Sequence, residues 1–228
     1  MNSKLSVIIP VYNEKLTVPE MIRLVKEVSF PKEIIVVDDH SSDGTEVWLK
    51  GLKDPEVTVL FHDHNQGKGA AIRTALSSVS GGIILIQDAD LEYSPKDYPE
   101  LLKPILDGHA DVVYGSRFLG GPHRVLFFWH WLGNSIFTLL TNVLFNINLS
   151  DMGTCYKVFR SDVLKGMKLK SDRFGFEPEI TAKICKGKFR IYEIPISYHG
   201  RTYAEGKKIT WRDAFVYFWC LLKFRVTD

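Results

Sequence analysis

The 228-residue chain lacks the cysteine pattern of a secreted or zinc-binding domain. Its three cysteines, Cys155, Cys185 and Cys220, form no C-x-x-C pair and no even-numbered framework, which favours free thiols in a reduced intracellular setting. Charge of one sign is also not in excess, with 29 Lys and Arg against 27 Asp and Glu, so bulk charge does not indicate a nucleic-acid partner. The first residues turn polar within about ten positions, which argues against a signal peptide.

The common phosphate-binding loops are absent as well. There is no G-x-x-x-x-G-K-[ST] motif and no G-x-G-x-x-G after the first predicted strand, which disfavours kinases and dinucleotide-dependent dehydrogenases. A glycine-rich piece, Asn65–Gly69, precedes a predicted helix. It either cradles a phosphate, with Lys68 contacting the nucleotide, or is an ordinary loop at a helix start.

What the chain does contain, over its first 115 residues, is an alternation of short β-branched runs with helical patterns. This alternation is typical of parallel strands covered on both faces by helices. Thr17 and Glu20 have the spacing of a capping box, and further helices are predicted from near Gly69 and after Pro95. The fold class is therefore predicted to be α/β with a mostly parallel central sheet. The predicted strands are Leu5–Pro10, Ile34–Asp39, Val57–His62, Ile83–Asp88 and Asp111–Gly115.

The segment from Val125 to Ser150 carries no charged residue. It is long enough to suggest a membrane span, but a polar residue recurs every four positions, which draws a polar stripe along a helix. This stripe favours an interfacial or groove-covering helix, with a buried core helix and a true span left as alternatives. The polar residues are His130, Asn134, Thr138, Asn142 and Asn146.

The remaining part of the chain is less regular. A helix is predicted from about Glu177 to Gly187, followed by a strand over Phe189–Tyr198 in which Pro195 favours an edge position. The aromatic segment from Trp211 to Val226 is predicted to form a C-terminal amphipathic helix, too short to span a membrane comfortably.

Acidic residues follow several of the predicted strands. Because ligands of open parallel sheets bind outside the carboxyl ends of the strands, these residues are expected to converge on one edge. Crowded carboxylates repel each other unless a cation lies between them, and Mg²⁺ or Mn²⁺ bound together with a substrate diphosphate would meet that need. For Asp38 and Asp43, turn or helix capping is an equal alternative. The acidic residues are Glu14, Asp38, Asp39, Asp43, Asp88, Asp90 and Glu92.

Six motifs in this order resemble the inverting family 2 glycosyltransferases, in particular the dolichyl-phosphate mannose synthase-like, polyprenyl-phosphate glycosyltransferase branch. The resemblance covers about residues 5 to 213 and implies a Rossmann-like nucleotide-sugar-binding fold of GT-A type. The motifs are SVIIPVYNE, IIVVDDHSSDGT, NQGKGAAIRTAL, DADLEYSP, YGSRF and ISYHGRTYAEGKK.

The resemblance also implies roles for individual residues. Asp88, Ala89 and Asp90 would face the ribose, diphosphate and metal of a nucleotide sugar such as GDP-mannose or UDP-glucose, and Glu92 is a further candidate metal ligand. The residues that would hold the base and ribose are Pro10, Tyr12, Glu14, Val37 and Asp39.

Cationic residues in the second half suit an anionic acceptor. A phosphate monoester is already anionic near neutral pH and needs cations rather than a general base. The candidates are Arg117, Arg124, Arg201 and Lys207, and the family comparison assigns Arg201 and Lys207 to phosphate recognition on a mobile loop. The alternatives are an ion pair for Arg117 and a solvated basic turn for Lys207.

The predicted activity is the metal-dependent transfer of a hexose to a polyprenyl or dolichyl phosphate, with Asp88, Asp90, Arg117, Arg201 and Lys207 at the catalytic centre. One alternative acceptor is a glycan hydroxyl, for which Asp151, Glu177 or Glu179 would serve as base. Another alternative is a non-catalytic nucleotide-sugar-binding module. The segment Asp151–Lys157 departs from the family pattern, which places the acceptor contacts in question.

We expect a single glycosyltransferase domain over residues 1–228. Within it, residues 1–117 form the nucleotide-sugar-binding half, 118–213 the acceptor-side half with interfacial helices, and 214–228 the C-terminal aromatic helix. Apolar surface flanked by cations predicts a peripheral position on the cytoplasmic face of a membrane, either directly or through a membrane partner protein.

Overall fold

The computed structural model describes residues 4–125, 127–206 and 211–227. The described residues form a seven-stranded sheet in the order β3-β2-β1-β4-β6-β5-β7. The strands are β1 Leu5–Val11, β2 Lys32–Asp38, β3 Val57–Phe61, β4 Ile83–Ile86, β5 Val112–Ser116, β6 Lys157–Arg160 and β7 Ile191–Pro195. The helices are α1 Val18–Glu27, α2 Thr45–Gly51, α3 Lys68–Leu76, α4 Tyr98–Leu106, α5 Phe128–Phe145, α6 Ser161–Lys165, α7 Phe176–Lys186 and α8 Trp211–Val226.

The first half of the sheet follows the predicted pattern. Strands β3, β2, β1 and β4 are parallel neighbours, and the residues of β1, β2 and β4 are almost all buried. Buried apolar residues form one cluster on each face of the sheet. This two-sided burial explains why these strands are continuous apolar runs rather than alternating ones.

The second half of the sheet contains a strand that the sequence did not indicate. Strand β6 lies between β4 and β5 and is antiparallel to both, whereas residues 151–197 were predicted only as a mixed region with a late strand. Four residues are too few to give a readable hydrophobic period. Strand β7 pairs only with β5 among the described strands and closes the sheet, which confirms the edge position indicated by Pro195.

The predicted capping box and the predicted end of the fourth strand are wrong. Thr17 precedes α1, but its hydroxyl donates to Glu14 Oε2 at 2.7 Å and does not cap the helix, while Glu20 pairs with Arg23. A carboxylate is the stronger acceptor, so the capping box does not form. Strand β4 ends at Ile86 instead of Asp88, and the acidic motif that follows therefore lies in a loop.

The faces of helix α5 are arranged in the reverse of an ordinary amphipathic surface helix, which turns its apolar face to the protein. Its polar stripe faces the protein, where Asn134 contacts Asp151, Thr138 is buried and Asn142 bonds the backbone of Leu149. Its apolar face is exposed, with Leu139 at 64% and Val143 at 72%. No helix in the described parts of the chain is long and apolar enough to cross a membrane.

Candidate active site

A cavity of about 750 Å³ lies outside the carboxyl ends of β1, β2 and β4. It extends between α5 and α8, where Gly133, Phe137 and Tyr217 line it. Most of the residues that the sequence singled out share this one cavity. They are Pro10, Tyr12, Glu14, Asp39, Lys68, Asp88, Ala89, Asp90, Glu92, Arg117 and Arg201.

Two predicted residues lie elsewhere, and a third is not among the described residues. Val37 is fully buried within β2 and does not contact the cavity. Arg124 is largely exposed, and its guanidinium pairs with Glu205 at 3.0 Å. Lys207 lies outside the described residues.

Asp39 organises the glycine-rich loop. Its carboxylate accepts hydrogen bonds from the backbone N–H groups of Gln66 at 2.8 Å and Gly67 at 2.7 Å, and it lies 2.7 Å from the ring of His62. Gly67 has φ +103°, and a Cβ there would collide with the carbonyl oxygen of Asp172. These two N–H groups are therefore occupied within the protein, which favours the ordinary-loop interpretation over a phosphate cradle.

Lys68 extends from the start of α3 into the cavity. Its ammonium nitrogen lies 2.7 Å from Asp88 Oδ1 and 3.3 Å from Glu177 Oε1. Burial alone would lower the pKa of Lys68, but these carboxylates raise it well above its ordinary value. The same ammonium group holds the pKa of Asp88 below its ordinary value despite burial. Lys68 and Asp88 are thus an ionised pair at the cavity floor.

Asp90 is buried among other carboxylates, which disfavours its ionised form. Burial, together with the Asp88 and Glu92 carboxylates, raises the pKa of Asp90 to about 7. The Arg201 guanidinium partly offsets this, with its Nη2 3.4 Å from Asp90 Oδ2 and 3.1 Å from Glu14 Oε1. Arg201 therefore joins the loop after β7 to acidic residues from two different strand ends.

Glu92 holds that same loop. One of its carboxylate oxygens accepts from the backbone N–H of Arg201 at 2.9 Å, and the other accepts from the Tyr198 hydroxyl at 2.8 Å. Both oxygens are thus already hydrogen-bonded, so Glu92 would have to release the loop before it could ligate a metal.

The oxygen atoms of Asp88 and Asp90 fit a hard divalent cation. The raised pKa of Asp90 marks a position where added positive charge would relieve repulsion. Within residues 4–125, 127–206 and 211–227, no group of three His, Cys, Asp or Glu side chains is arranged to hold a metal. Lys68 and Arg201 neutralise the carboxylates in this arrangement, so cation binding would require one of them to withdraw.

Arg117 forms the ion pair that was its alternative interpretation, yet it also lines the cavity. Its Nε and Nη2 each lie 2.7 Å from an oxygen of Asp151, which is fully buried. Asn134 of α5 also donates to Asp151 at 3.0 Å. Burial alone would lower the pKa of Arg117, but Asp151 raises it well above its ordinary value. Asp151 is therefore saturated with donors and poorly placed to act as a base.

An aromatic and polar contact joins the loop after β7 to α5. His130 Nε2 lies 2.8 Å from the Tyr203 hydroxyl, and the Phe127 ring packs 5.4 Å from that of Tyr203. Together with the pairing of Arg124 and Glu205, this contact fastens the loop along the entrance of the cavity. Arg201 and Tyr203 of this loop line the cavity.

Several cavity residues were not found from the sequence. Tyr93 and Tyr198 pack with ring centroids 5.4 Å apart, and the Arg117 guanidinium lies 5.2 Å from the centroid of Tyr198. Cys155 also lines the cavity, and burial raises its pKa. Tyr93 and Tyr198 lie within the quoted motifs DADLEYSP and ISYHGRTYAEGKK, but hydropathy does not separate them from core aromatics.

The comparisons with known proteins identify the family of the chain. The glycosyl transferase family 2 pattern matches residues 6–167. The chain is 31% identical over 217 residues to an undecaprenyl-phosphate mannosyltransferase from Micrococcus luteus, covering 88% of this chain and 85% of that protein. It is 28% identical to a dodecaprenyl-phosphate galacturonate synthase from Rhizobium johnstonii, covering 90% of this chain and 61% of that protein.

A solved structure shares the fold. Glucosyl-3-phosphoglycerate synthase from Mycobacterium tuberculosis, in complex with Mn²⁺, UDP and phosphoglyceric acid, superposes with a TM-score of 0.73. The sequence identity is 19%, and the match covers 99% of this chain and 79% of that one. This likeness confirms the predicted α/β fold of GT-A type. The family match, the relatives and the fold together show that the chain belongs to glycosyl transferase family 2 and is a glycosyltransferase.

Proposed function

We propose that the protein transfers a hexose from a nucleotide diphosphate sugar, of the GDP-mannose or UDP-glucose type, to a polyprenyl or dolichyl phosphate. The observation that carries this proposal is the shared cavity. It joins the carboxylates at the sheet edge to Arg117 and Arg201 and extends between two helices with apolar outer faces. Relatives named as transferases acting on undecaprenyl and dodecaprenyl phosphate support the choice of acceptor.

On the donor side, Tyr12 and the end of β1 would contact the base and ribose, while Lys68 would face the diphosphate. Asp88 and Asp90 would hold Mg²⁺ or Mn²⁺, with Glu92 as a further ligand once it releases the loop. Such a cation stabilises negative charge that develops on the leaving diphosphate. The assignment of Val37 and Asp39 to nucleotide binding is then indirect, through the strand end and the loop that they support.

On the acceptor side, the reaction needs positive charge more than a base. A phosphate monoester is already anionic near neutral pH, and the buried Arg117 presents its guanidinium at the cavity wall. Arg201 would meet the same phosphate when it leaves Glu14 and Asp90. Lys207 on the same loop and Arg124, which lies between β5 and α5, would add positive charge. Attack by the phosphate oxygen on the anomeric carbon, opposite the leaving diphosphate, would invert its configuration.

The outward apolar faces of α5 and α8 support a peripheral position on a membrane. Trp219 is 67% exposed on α8, beside exposed apolar residues of the same helix. Lys223 and Arg225 follow near the end of that helix, where they would meet anionic headgroups. We place the protein on the cytoplasmic face, where residues 1–228 would act as one catalytic unit, directly or with a membrane partner.

The proposal is tested by incubating the purified protein with radiolabelled GDP-mannose or UDP-glucose, Mg²⁺ or Mn²⁺, and undecaprenyl phosphate, and then extracting the organic phase. We expect label in the organic phase with one donor only, and none without the divalent cation. Label that appears only on a water-soluble glycan would contradict the lipid acceptor. Metal-dependent nucleotide binding with no transfer to any acceptor would instead indicate a non-catalytic binding module.

A further inference from the structure

Glu177 is a charged residue of the cavity that the proposed mechanism does not use. It lies in the first turn of α7, and its side chain is 96% buried yet lines the cavity. One carboxylate oxygen, Oε1, lies 3.3 Å from the Lys68 ammonium. The other, Oε2, is buried and has no hydrogen-bond partner in the described structure.

An unpartnered buried carboxylate oxygen is costly, because the charged group has lost its water without gaining a donor. Its near neighbour Glu179 shows the contrast, since that carboxylate accepts from the backbone N–H groups of Lys170 and Ser171 and pairs with Lys183. Glu179 is thus satisfied by the fold. Glu177, which lines the cavity, keeps one acceptor that the fold leaves without a partner.

The position of this acceptor relative to the donor diphosphate is set by Lys68. The same ammonium nitrogen contacts Asp88 Oδ1 at 2.7 Å and Glu177 Oε1 at 3.3 Å. The two carboxylates are therefore separated by no more than the sum of these distances, which is comparable to the width of a pyranose ring. A sugar attached to a diphosphate that is bound by Lys68 and by a cation on Asp88 would bring its hydroxyl groups within reach of Glu177.

We infer that Glu177 binds hydroxyl groups of the donor sugar and selects neutral hexoses over uronic acids. This inference rests on the proposed function. Two hydroxyl groups on adjacent sugar carbons can donate to a carboxylate, and hydrogen bonds to a charged acceptor are stronger than those between neutral groups. A uronate would bring a third carboxylate to the cavity floor, where Asp88 and Glu177 already share one lysine, and the like charges would repel.

The test compares nucleotides with and without the sugar. Binding of GDP, GDP-mannose, UDP and UDP-glucose in the presence of Mn²⁺ is measured by titration calorimetry for the native chain and for Glu177→Gln. Glu177→Gln keeps the size of the side chain while removing its charge. The matched control is Glu100→Gln, which makes the same charge change at an exposed position of α4, and thermal unfolding of each variant establishes that it is folded.

We expect Glu177→Gln to weaken binding of the nucleotide sugar about tenfold, which corresponds to one hydrogen bond to a charged group. Binding of the nucleoside diphosphate alone should stay within about twofold, because that ligand lacks the sugar. Equal losses for both ligands, or no loss for either, would overturn the inference. If the native chain binds no nucleoside diphosphate, the proposed function itself fails, which is a different result.

Two further measurements separate this role from the others open to Glu177. If Glu177→Gln keeps sugar-nucleotide affinity but abolishes turnover, Glu177 is a general base for a hydroxyl acceptor and the inference is wrong. In the native chain, UDP-glucuronate or GDP-mannuronate should bind more weakly than the matching neutral nucleotide sugar, and Glu177→Gln should reduce that difference. A native preference for the uronate would also overturn it.

Discussion

The cavity has two walls of different composition. The first wall is the sheet edge with its charged side chains, and the second wall is formed by α5 and α8. At the sheet edge, each charged side chain is held by a named partner, as Lys68 is by Asp88 and Arg201 by Glu14. Along α5 the polar residues turn inward, and along both α5 and α8 large apolar side chains face outward. The first wall suits a charged, water-soluble ligand, whereas the second suits an apolar surface or chain. This difference indicates where each substrate would enter.

The largest expected effect on transfer comes from removing a carboxylate at the sheet edge. Asp88→Asn removes one of the two carboxylates that would hold the cation, and we expect transfer of label to the organic phase to fall by about 10³-fold. Asp63→Asn, at an exposed position outside the cavity, is the matched control and should transfer normally. Normal transfer by Asp88→Asn would contradict a role for this carboxylate in holding the cation.

Arg201 connects the two walls, so its loss should have two opposite effects. Arg201→Ala should reduce transfer to the lipid phosphate about 100-fold, because a cation that meets the acceptor is lost. The same change should increase Mn²⁺ affinity, measured by electron paramagnetic resonance without donor, because Asp90 and Glu14 lose a competing guanidinium.

Arg201→Lys should recover part of the transfer but less than the native level, since a lysine lacks the planar fork of arginine. Lys103→Ala, on the exposed side of α4, serves as the charge control in both assays. Unchanged Mn²⁺ affinity in Arg201→Ala would show that the guanidinium does not compete with the cation.

The second wall is tested by placing charge on its outer face. The double change Leu139→Glu and Val143→Glu affects two exposed positions of α5 outside the cavity lining. We expect sedimentation with vesicles of anionic lipids to fall about tenfold. Each apolar side chain that would enter the lipid surface is replaced by a carboxylate. Leu106→Glu, at an exposed leucine of α4, should leave vesicle binding intact. Equal losses in both variants would contradict a docking role for α5.

The smallest effect concerns a charge cluster at the opposite end of the sheet from the cavity. Burial opposes ionisation of Glu33, but hydrogen bonds from Lys4, Ser6 and Ser80 lower its pKa to about 2. A lowered pKa in the folded state stabilises the protein above the ordinary value of 4.5, and this contribution is lost as the pH falls towards 2.

Glu33→Gln should therefore reduce the free energy of unfolding by about 1 kcal/mol at pH 7, after allowing for solvent screening. The difference from the native chain should shrink by pH 3 in urea denaturation, while transfer activity stays unchanged. A constant difference across this range would show that the Glu33 cluster does not stabilise the fold through its charge.

The wall at the sheet edge was more predictable from the sequence than the rest of the cavity. Acidic residues that end parallel strands converge because topology brings strand ends together, so Asp88 and Asp90 could be placed from sequence. The inserted strand β6 could not, because Lys157–Arg160 is short and its pairing is non-local. The saturation of Asp151 by Arg117 and Asn134 likewise depends on contacts between distant segments.

The sequence predicted the polar stripe of α5 but not which face of the helix contacts the protein. The regular polar stripe indicated an interfacial helix, but periodicity alone does not tell which face meets the protein. The structure turns the stripe inward because Asn142 and Asn134 find partners in the loop that follows the helix. The free oxygen of Glu177 is a similar case, since its local sequence is that of an ordinary helix start.

The most direct test of the account is anomalous diffraction from crystals grown with Mn²⁺ and the nucleotide sugar that supports transfer. The account predicts a manganese peak bonded to Asp88 and Asp90 and to the donor diphosphate, with Arg201 withdrawn from Asp90. A diphosphate bound in the cavity with manganese elsewhere, while Asp88 remains on Lys68 and Asp90 on Arg201, would contradict it.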